Sequence, residues 1–226
     1  MRLIFVRHGE PNYEKDCLTK LGHEEAKAAA QRLLCENIDE IFSSPMGRAM
    51  QTAEAYAALT GKKEIKVLDF MHEIRYGREE ALYEDKYNPW TIADQLISEG
   101  KNLQDDKWPE FPLYKDNTAT IDIKKIGQEA DKWLKSLGYE REGLYYRNKG
   151  SAAADKTIAI FCHGGSTTAF LSRVLNQQFP YLASSLHLPH TGITILRFDR
   201  KEGSLAAPIV ELASDGTHIK ELLSQK

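Results

Sequence analysis

The sequence predicts an α/β protein: a three-layer sandwich whose mainly parallel central sheet carries helices on both faces. Short apolar runs of strand length alternate with segments whose apolar residues recur every three or four positions. The chain has 226 residues, of which 42% are hydrophobic and 28% are charged. This length suits one domain with a substantial core or a domain with a large insertion. We expect residues 1–226 to form a single domain with an insertion.

The N-terminal part of the pattern begins with a strand at Arg2–Val6. Alanine and leucine residues at helical spacing then predict a helix over about Lys20–Glu36. A second strand, in "IDEIFSS", ends at Ser43–Ser44. Pro45 suits the first turn of a second helix, which Gly61 ends. The stretch "EIKVLDF" predicts a third strand.

A change of composition marks the segment from about Arg78 to Ala154. Tryptophan, tyrosine and charged residues mix with prolines there, and no strand pattern is evident. The stretches "PWTIADQLISEG" and "DIKKIGQEADKWLKSLG" have helical periodicity. We therefore expect a mostly helical insertion over about 78–154. It could cover a site as a cap or simply extend the core, and the sequence leaves both open.

The α/β pattern resumes after this segment. A strand "TIAIFC", a helix from about Ser166 to Gln177, a strand "GITILRFD" and a last strand "APIVELA" follow one another. Right-handed crossovers would bring the carboxyl ends of parallel strands to one edge of the sheet. Ligands of such sheets bind at that edge.

Composition excludes several classes of function. The formal net charge of −3 gives no basis for binding nucleic acid or an acidic membrane. The apolar runs are too short for a bilayer span or a signal peptide. The three cysteines lack CxxC spacing, and the histidines of "HLPH" lack a third ligand motif. We expect a cytoplasmic protein without metal, cofactor, nucleic-acid or membrane partners, and leave its oligomeric state open.

Two predicted strands end in histidine followed by glycine. "LIFVRHGE" places His8, and "TIAIFCHGG" places His163, at the ligand edge of a parallel sheet. A glycine after each histidine lets backbone approach a ligand closely. Arg7 flanks His8, and Arg48 lies in the first turn of the second helix, near an N-terminus that favours anions. Two arginines and two histidines at one edge predict a pocket for a phosphoryl group.

The motifs "RHGE", "LTKLGHEEA", "SSPMGRAMQTA" and "CHGG", in this order, resemble the histidine phosphatase superfamily, also called phosphoglycerate-mutase-like. The resemblance covers the N-terminal third and the C-terminal region and says little about the insertion. It implies that His8 is the nucleophile and forms a phosphohistidine. It implies that Arg7, Arg48 and His163 hold the phosphoryl oxygens. Glu73, in "MHEIRYG", would protonate the leaving oxygen and then activate water.

Further site residues follow from the same resemblance. His72, Glu79 and Glu80 are alternatives to the proposed acid. Many members carry "RHGETxxN", whose asparagine contributes to the phosphate pocket, whereas this chain reads "RHGEPNYE". Asn12 is therefore two positions early, and we expect it to reach the phosphate site. Gly164, directly after the second histidine, is also expected in the phosphate-binding set.

The motifs favour a phosphomonoesterase that hydrolyses a small phosphorylated metabolite. A cofactor-dependent mutase is the alternative, because "EIRYG" is similar to the "ERHYG" of such mutases. The short segment between "RHGE" and "LT" lacks the longer loop of mutases. A phospholigand-binding protein without turnover is the third possibility, although no catalytic group is missing. Specificity is expected in the insertion, from aromatic residues (Trp90, Trp108, Phe111, Tyr114, Tyr145, Tyr146) or cations (Lys101, Lys107, Lys115, Arg147).

Overall fold

The computed structural model describes residues 1–62 and 64–220. Its strands are β1 (Arg2–Arg7), β2 (Pro11–Asn12), β3 (Cys17–Leu18), β4 (Glu40–Ser43), β5 (Lys66–Val67), β6 (Gly77–Arg78), β7 (Ala81–Leu82), β8 (Tyr139–Glu142), β9 (Tyr145–Asn148), β10 (Thr157–Cys162), β11 (Ile193–Arg197), β12 (Leu205–Ala206) and β13 (Ile209–Asp215). Its α-helices are α1 (Lys20–Leu33), α2 (Gly47–Thr60), α3 (Pro89–Ser98), α4 (Thr118–Ser136), α5 (Gly164–Val174) and α6 (Phe179–Ser185).

The central sheet has the strand order β13-β11-β1-β10-β4-β5. The strands β1, β10, β4 and β5 are parallel to one another. The strands β11 and β13 are antiparallel to their neighbours, so the sheet is mixed. The predicted α/β class is confirmed, but the last two strands do not join the parallel set.

The reversed direction of β11 follows from where the chain re-enters the sheet. Both α5 and α6 separate β10 from β11. The chain then returns beside the carboxyl end of β1: the N–H of Arg7 donates to the carbonyl of Gly192 at 3.2 Å. The N–H of Thr191 donates to the carbonyl of His8 at 3.3 Å. β11 therefore starts at the edge where β1 ends.

Alternate side chains of β1 belong to two different cores. Leu3 and Phe5 pack in a cluster with side chains of α3, α4 and α5. Ile4 and Val6 pack in a second cluster with side chains of α1 and α2. All four are at most 1% exposed. This strand is buried on both faces, which explains why it is apolar without interruption up to Arg7.

The N-terminal helices lie close to their predicted ranges, except that α2 begins at Gly47, so that Pro45 precedes the helix and is not in its first turn. α1 starts where the Thr19 hydroxyl accepts the N–H of Gly22, and a 3-10 turn at Leu34–Glu36 extends it. α2 ends at Gly61, whose φ of 70° suits glycine. The strand predicted in "EIKVLDF" is only Lys66–Val67 and pairs with β4 alone at the end of the sheet.

The segment about 78–154 differs from its prediction because it contains strands as well as α3 and α4. β6 pairs with β7, and β8 pairs with β9. β9 also pairs with β12, forming a three-stranded sheet. The missed signal is "YEREGLYYRN", in which tyrosines flank a two-residue turn. Gly143 occupies that turn with a φ of 61°.

The helices of residues 1–62 and 64–220 include none that combines the length and apolar character needed to cross a bilayer.

Candidate active site

His8 lies directly after β1 and is 1% exposed. Its Nδ1 is 2.7 Å from the carbonyl oxygen of Gly9. Because a carbonyl only accepts, Nδ1 carries the hydrogen and Nε2 keeps its lone pair. That Nε2 accepts a hydrogen bond from Nε of Arg48 at 3.2 Å. Burial, aided by Arg48 and Arg7, lowers the pKa of His8 to about 3 despite the Gly9 bond, so the ring is neutral at physiological pH.

The register of the sheet brings His163 beside His8. Arg7 on β1 is paired with Cys162 on β10, so the next residue of each strand is a histidine. The two ring centroids are 5.1 Å apart and His163 is fully buried. Burial, followed by the neighbouring His8 and the arginines, lowers the pKa of His163 well below 6.5.

Ser44, after β4, fixes one nitrogen of His163. Its Oγ lies 2.8 Å from His163 Nε2 and accepts the N–H of Met46 at 3.3 Å. The other nitrogen, Nδ1, is buried and has no hydrogen-bond partner among the described residues. Nδ1 is therefore the nitrogen that a bound group can contact. The second serine of "SSPMGRAMQTA" is thus a hydrogen-bond partner of the second histidine.

Arg48 is held by two residues that the sequence did not single out. Asp16 Oδ1 accepts from Arg48 Nη1 at 2.5 Å, and its Oδ2 accepts the N–H of Gly47 at 2.7 Å. The Arg48 Cζ lies 5.4 Å from the ring centroid of Tyr13. Asp16 therefore caps α2 and orients the guanidinium at once. No sequence pattern signals this, because the contact depends on the fold of residues 9–18.

Arg7, the last residue of β1, lies over the start of α5. Its Nη1 donates to the carbonyl of Leu188 at 2.6 Å, while its Nε is buried without a partner among the described residues. A Cβ added at Gly164 would lie 3.7 Å from that Nε. A guanidinium beside a helix N-terminus is an arrangement that attracts anions.

Glu73 contacts the same helix N-terminus. Its Oε1 accepts the N–H groups of Ile74 at 2.9 Å and Ser166 at 3.0 Å. Its Oε2 accepts the N–H of Gly165 at 3.3 Å. Burial raises the pKa of Glu73, although these bonds and the arginines oppose the rise. A Cβ at Gly165 would lie 2.5 Å from Glu73 Oε1, so the second glycine of "CHGG" makes room for this carboxyl group.

The remaining predicted site residues lie outside this cluster of contacts. His72 Nδ1 is 2.9 Å from the backbone oxygen of Glu73, and Glu79 and Glu80 are exposed between β6 and β7. The Oδ1 of Asn12 accepts the N–H of Lys15 at 3.1 Å, which closes a local turn. The expected contact of Asn12 with phosphate stays a prediction.

A third histidine, His190, lies near His8. Its ring centroid is 5.8 Å from that of His8. Burial, then Arg7, lowers its pKa to about 4. From the sequence, His190 suggested only a metal pair in "HLPH" without a third ligand motif, so no role at this site was expected for it. No group of three or more potential metal ligands occurs among residues 1–62 and 64–220.

Several motif residues hold the loop after His8. Thr52 Oγ1 accepts the N–H of Gly9 at 3.2 Å. Glu25 Oε2 accepts the N–H of Glu10 at 2.6 Å. A Cβ at Gly9 would lie 2.4 Å from the carbonyl oxygen of Gly22. The glycine after His8 is thus required for close packing against the first turn of α1, which differs from the predicted role in ligand approach.

A cavity of about 930 Å³ opens next to these groups. Of the six aromatic residues expected to determine specificity, Trp90 lines it; Trp108, Tyr114 and Tyr146 are instead buried in the core. None of the four expected cations is among its lining residues. The described lining consists of Arg7, Tyr13, Met46, Arg48, Glu73, Ile74, Tyr76, Tyr83, Asn88, Trp90, Asp94, Gly164, Thr168, Ala183, Ser184, Leu186, His187 and Leu188.

Comparisons with known proteins agree with this architecture. A sequence model of the histidine phosphatase superfamily (branch 1) matches residues 3–111. A putative phosphoserine phosphatase 2 of Hydrogenobacter thermophilus is 23% identical over 90% of this chain and 93% of its own. A 2,3-bisphosphoglycerate-dependent phosphoglycerate mutase of Mesorhizobium japonicum is 27% identical over 75% of this chain and 79% of its own.

A solved structure shares the fold. The phosphoserine phosphatase of Entamoeba histolytica in complex with phosphoserine, a mutant protein, superposes with a TM-score of 0.64. It is 23% identical, and the match covers 96% of this chain and 98% of that one. The match of residues 3–111 to the histidine phosphatase superfamily and the similarity to proteins named as phosphatases support an enzyme of that superfamily.

The buried histidines predict a loss of stability in mild acid. Above pH 6.5 their rings are neutral in both the folded and the unfolded chain. Between pH 6.5 and about 3, the unfolded chain binds a proton at His8 that the folded chain does not. The free energy of unfolding should therefore fall as the pH falls, by about 1.4 kcal/mol per pH unit for each such histidine.

Denaturant unfolding at pH 7, 6 and 5 measures this slope. His163→Asn should reduce it, whereas His23→Asn, at an exposed position, should not. An unchanged slope in His163→Asn would show that this ring is not buried in its neutral form.

Proposed function

We propose that this chain is a phosphomonoesterase that hydrolyses a small phosphorylated metabolite through a phosphohistidine on Nε2 of His8. The observation that carries the proposal is the state of the His8 ring. Nδ1–H is bound to the Gly9 carbonyl at 2.7 Å, the unprotonated Nε2 accepts from Nε of Arg48 at 3.2 Å, and the His163 ring centroid is 5.1 Å from that of His8. A buried, neutral imidazole with one oriented lone pair is suited to nucleophilic attack on phosphorus.

The first step transfers the phosphoryl group to His8. Nε2 forms a bond to phosphorus while the bond to the leaving oxygen breaks. The imidazole then carries positive charge, which the hydrogen bond from Nδ1 to the Gly9 carbonyl stabilises. We assign Arg7, Arg48 and His163 to the phosphoryl oxygens, where their donors stabilise the transition-state charge. Gly164 joins them through the N-terminus of α5.

Glu73 is assigned to the leaving oxygen. Its raised pKa favours the protonated form, which gives its proton to the departing alkoxide. In the second step the resulting carboxylate accepts a proton from water, whose oxygen attacks phosphorus. The Nε2–P bond breaks, inorganic phosphate leaves, and both His8 and Glu73 return to their starting protonation states.

The segment about 78–154 is proposed to act as a cap in a three-layer, single-domain architecture. Tyr83, Asn88, Trp90 and Asp94 come from this segment and line the cavity that reaches Arg7. This placement supports the cap assignment over a simple extension of the core. The two cores on either side of β1 support the layering.

Replacement of His8 tests the nucleophile. Because no other group is proposed to accept the phosphoryl group, His8→Ala should lower kcat for p-nitrophenyl phosphate by at least about a thousandfold. His23→Ala, which removes an exposed histidine of α1, should retain activity. Folding of both variants is checked by circular dichroism. Turnover by a folded His8→Ala variant at the wild-type rate would refute the assignment.

A leaving-group series tests Glu73. A nitrophenolate leaves without protonation, but an alkoxide does not. Glu73→Gln should therefore reduce kcat/KM for an alkyl phosphate by about 100-fold to 10,000-fold, and much less for p-nitrophenyl phosphate. Glu79→Gln, at an exposed position, serves as the control. Equal losses on the two substrates would argue that Glu73 has a structural role instead.

The mutase alternative differs in the acceptor of the phosphoryl group. The "EIRYG" stretch favours it, whereas the loop between His8 and α1 is only long enough for the two short strands β2 and β3. With 3-phosphoglycerate and a trace of 2,3-bisphosphoglycerate, we expect release of phosphate without rapid formation of 2-phosphoglycerate. Rapid isomerisation with little free phosphate would support the mutase.

Tight vanadate binding without any turnover would support the third alternative, a phospholigand-binding protein.

A further inference from the structure

We propose that the cavity selects phosphomonoesters whose leaving group carries a cationic nitrogen and no second anionic group. This inference rests on the proposed phosphatase function and adds the chemical class of its substrate. The observations that support it are the charged groups and aromatic rings that line the cavity and are not assigned to the phosphoryl group.

The cavity offers no arginine or lysine for a second anion. Among its described lining residues, the arginine and lysine side chains are Arg7 and Arg48. Both lie at the His8 end, where the Leu188 carbonyl orients Arg7 and Asp16 orients Arg48. The phosphoryl group itself would use both. A carboxylate on the leaving group would have only the exposed imidazole of His187 as a basic neighbour.

A carboxylate that is not assigned to the phosphoryl group also lines the cavity. Asp94 lies four residues after Trp90 on α3, and this spacing places both on one helix face. Both side chains line the cavity. Asp94 is exposed, and no cation among the described residues forms an ion pair with it. A negative group without a protein partner is thus available to a positively charged ligand.

Four aromatic side chains also line the cavity. Tyr76 and Tyr83 contact each other edge to face, with centroids 5.2 Å apart and planes at 89°. Together with Trp90 and Tyr13 they line the cavity. The faces of such rings attract ammonium groups, and a nearby carboxylate adds to this attraction. Aromatic faces and an unpaired carboxylate are the elements with which proteins recognise alkylammonium ligands.

The overall charge pattern fits a zwitterionic substrate. The guanidinium groups of Arg7 and Arg48 are available to the phosphoryl dianion, and Asp94, which also lines the cavity, remains available to a cation. A substrate with both a phosphoryl and an ammonium group matches these charges. A substrate with a carboxylate would instead bring two like charges into the same cavity, which is unfavourable at low dielectric.

Three small alkyl phosphates of similar size test the inference. Phosphoethanolamine carries an ammonium group, ethyl phosphate carries no further charge, and phosphoglycolate carries a carboxylate. We expect kcat/KM to be about tenfold higher for phosphoethanolamine than for ethyl phosphate, and lowest for phosphoglycolate. Asp94→Asn should remove most of the ratio between the first two. Asp106→Asn, at an exposed position of the same segment, should retain it.

Two readouts separate this inference from the proposed function. If wild-type protein hydrolyses p-nitrophenyl phosphate but shows no preference for phosphoethanolamine, or if Asp94→Asn keeps the preference, the inference is overturned and the function stands. If nothing is hydrolysed, the function is overturned. Calorimetric binding of phosphoethanolamine and ethyl phosphate to His8→Ala then still decides the inference, because binding needs no nucleophile.

Discussion

The hydrogen bond from Nδ1 of His8 to the carbonyl of Gly9 determines what this site can do. It fixes the tautomer, so that Nε2 keeps the lone pair that accepts from Nε of Arg48. A buried imidazole whose donor lacked this partner would lose about 1–3 kcal/mol. The bond depends on the position of Gly9, which Thr52 and the close approach of Gly22 determine. Residues of α1 and α2 without a proposed chemical role therefore preserve the geometry of His8, the proposed nucleophile.

A second constraint is the shared N-terminus of α5. Arg7 lies beside Gly164, and Glu73 accepts N–H groups of Gly165 and Ser166. The helix N-terminus and the arginines favour a carboxylate, yet burial raises the pKa of Glu73. Burial outweighs the other effects, so the same helix N-terminus is contacted by an arginine and by a carboxyl group with a raised pKa. In the proposed mechanism this carboxyl group protonates the leaving oxygen.

The sequence was sufficient to predict the contact between the two histidines. "LIFVRH" and "TIAIFCH" have the uninterrupted apolar character of doubly buried strands, and parallel pairing in register then places His8 beside His163. The end of α2 was also readable, because Gly61 is a typical terminal residue, whereas its start was not, since Pro45 lies before the helix. These features depend on local composition and on one pairing rule.

The features that were missed depend on tertiary contacts. Asp16 orients Arg48 only after the loop of residues 9–18 has folded against α2. His190 approaches His8 because β11 starts at the site edge, and the antiparallel direction of that strand has no local sequence signal. The hairpin of β8 and β9 was missed because charged residues obscure its alternation, although Gly143 marks its turn.

The central claim is that Nε2 of His8 carries the phosphoryl group during turnover. Rapid acid-free quenching of the enzyme with ³²P-labelled substrate, followed by peptide mapping by mass spectrometry, tests it most directly. The account predicts an acid-labile, alkali-stable phosphoryl group on the peptide that contains His8, attached at Nε2. A phosphoryl group found on another residue, or steady turnover in which no phosphoenzyme forms at any quench time, would contradict it.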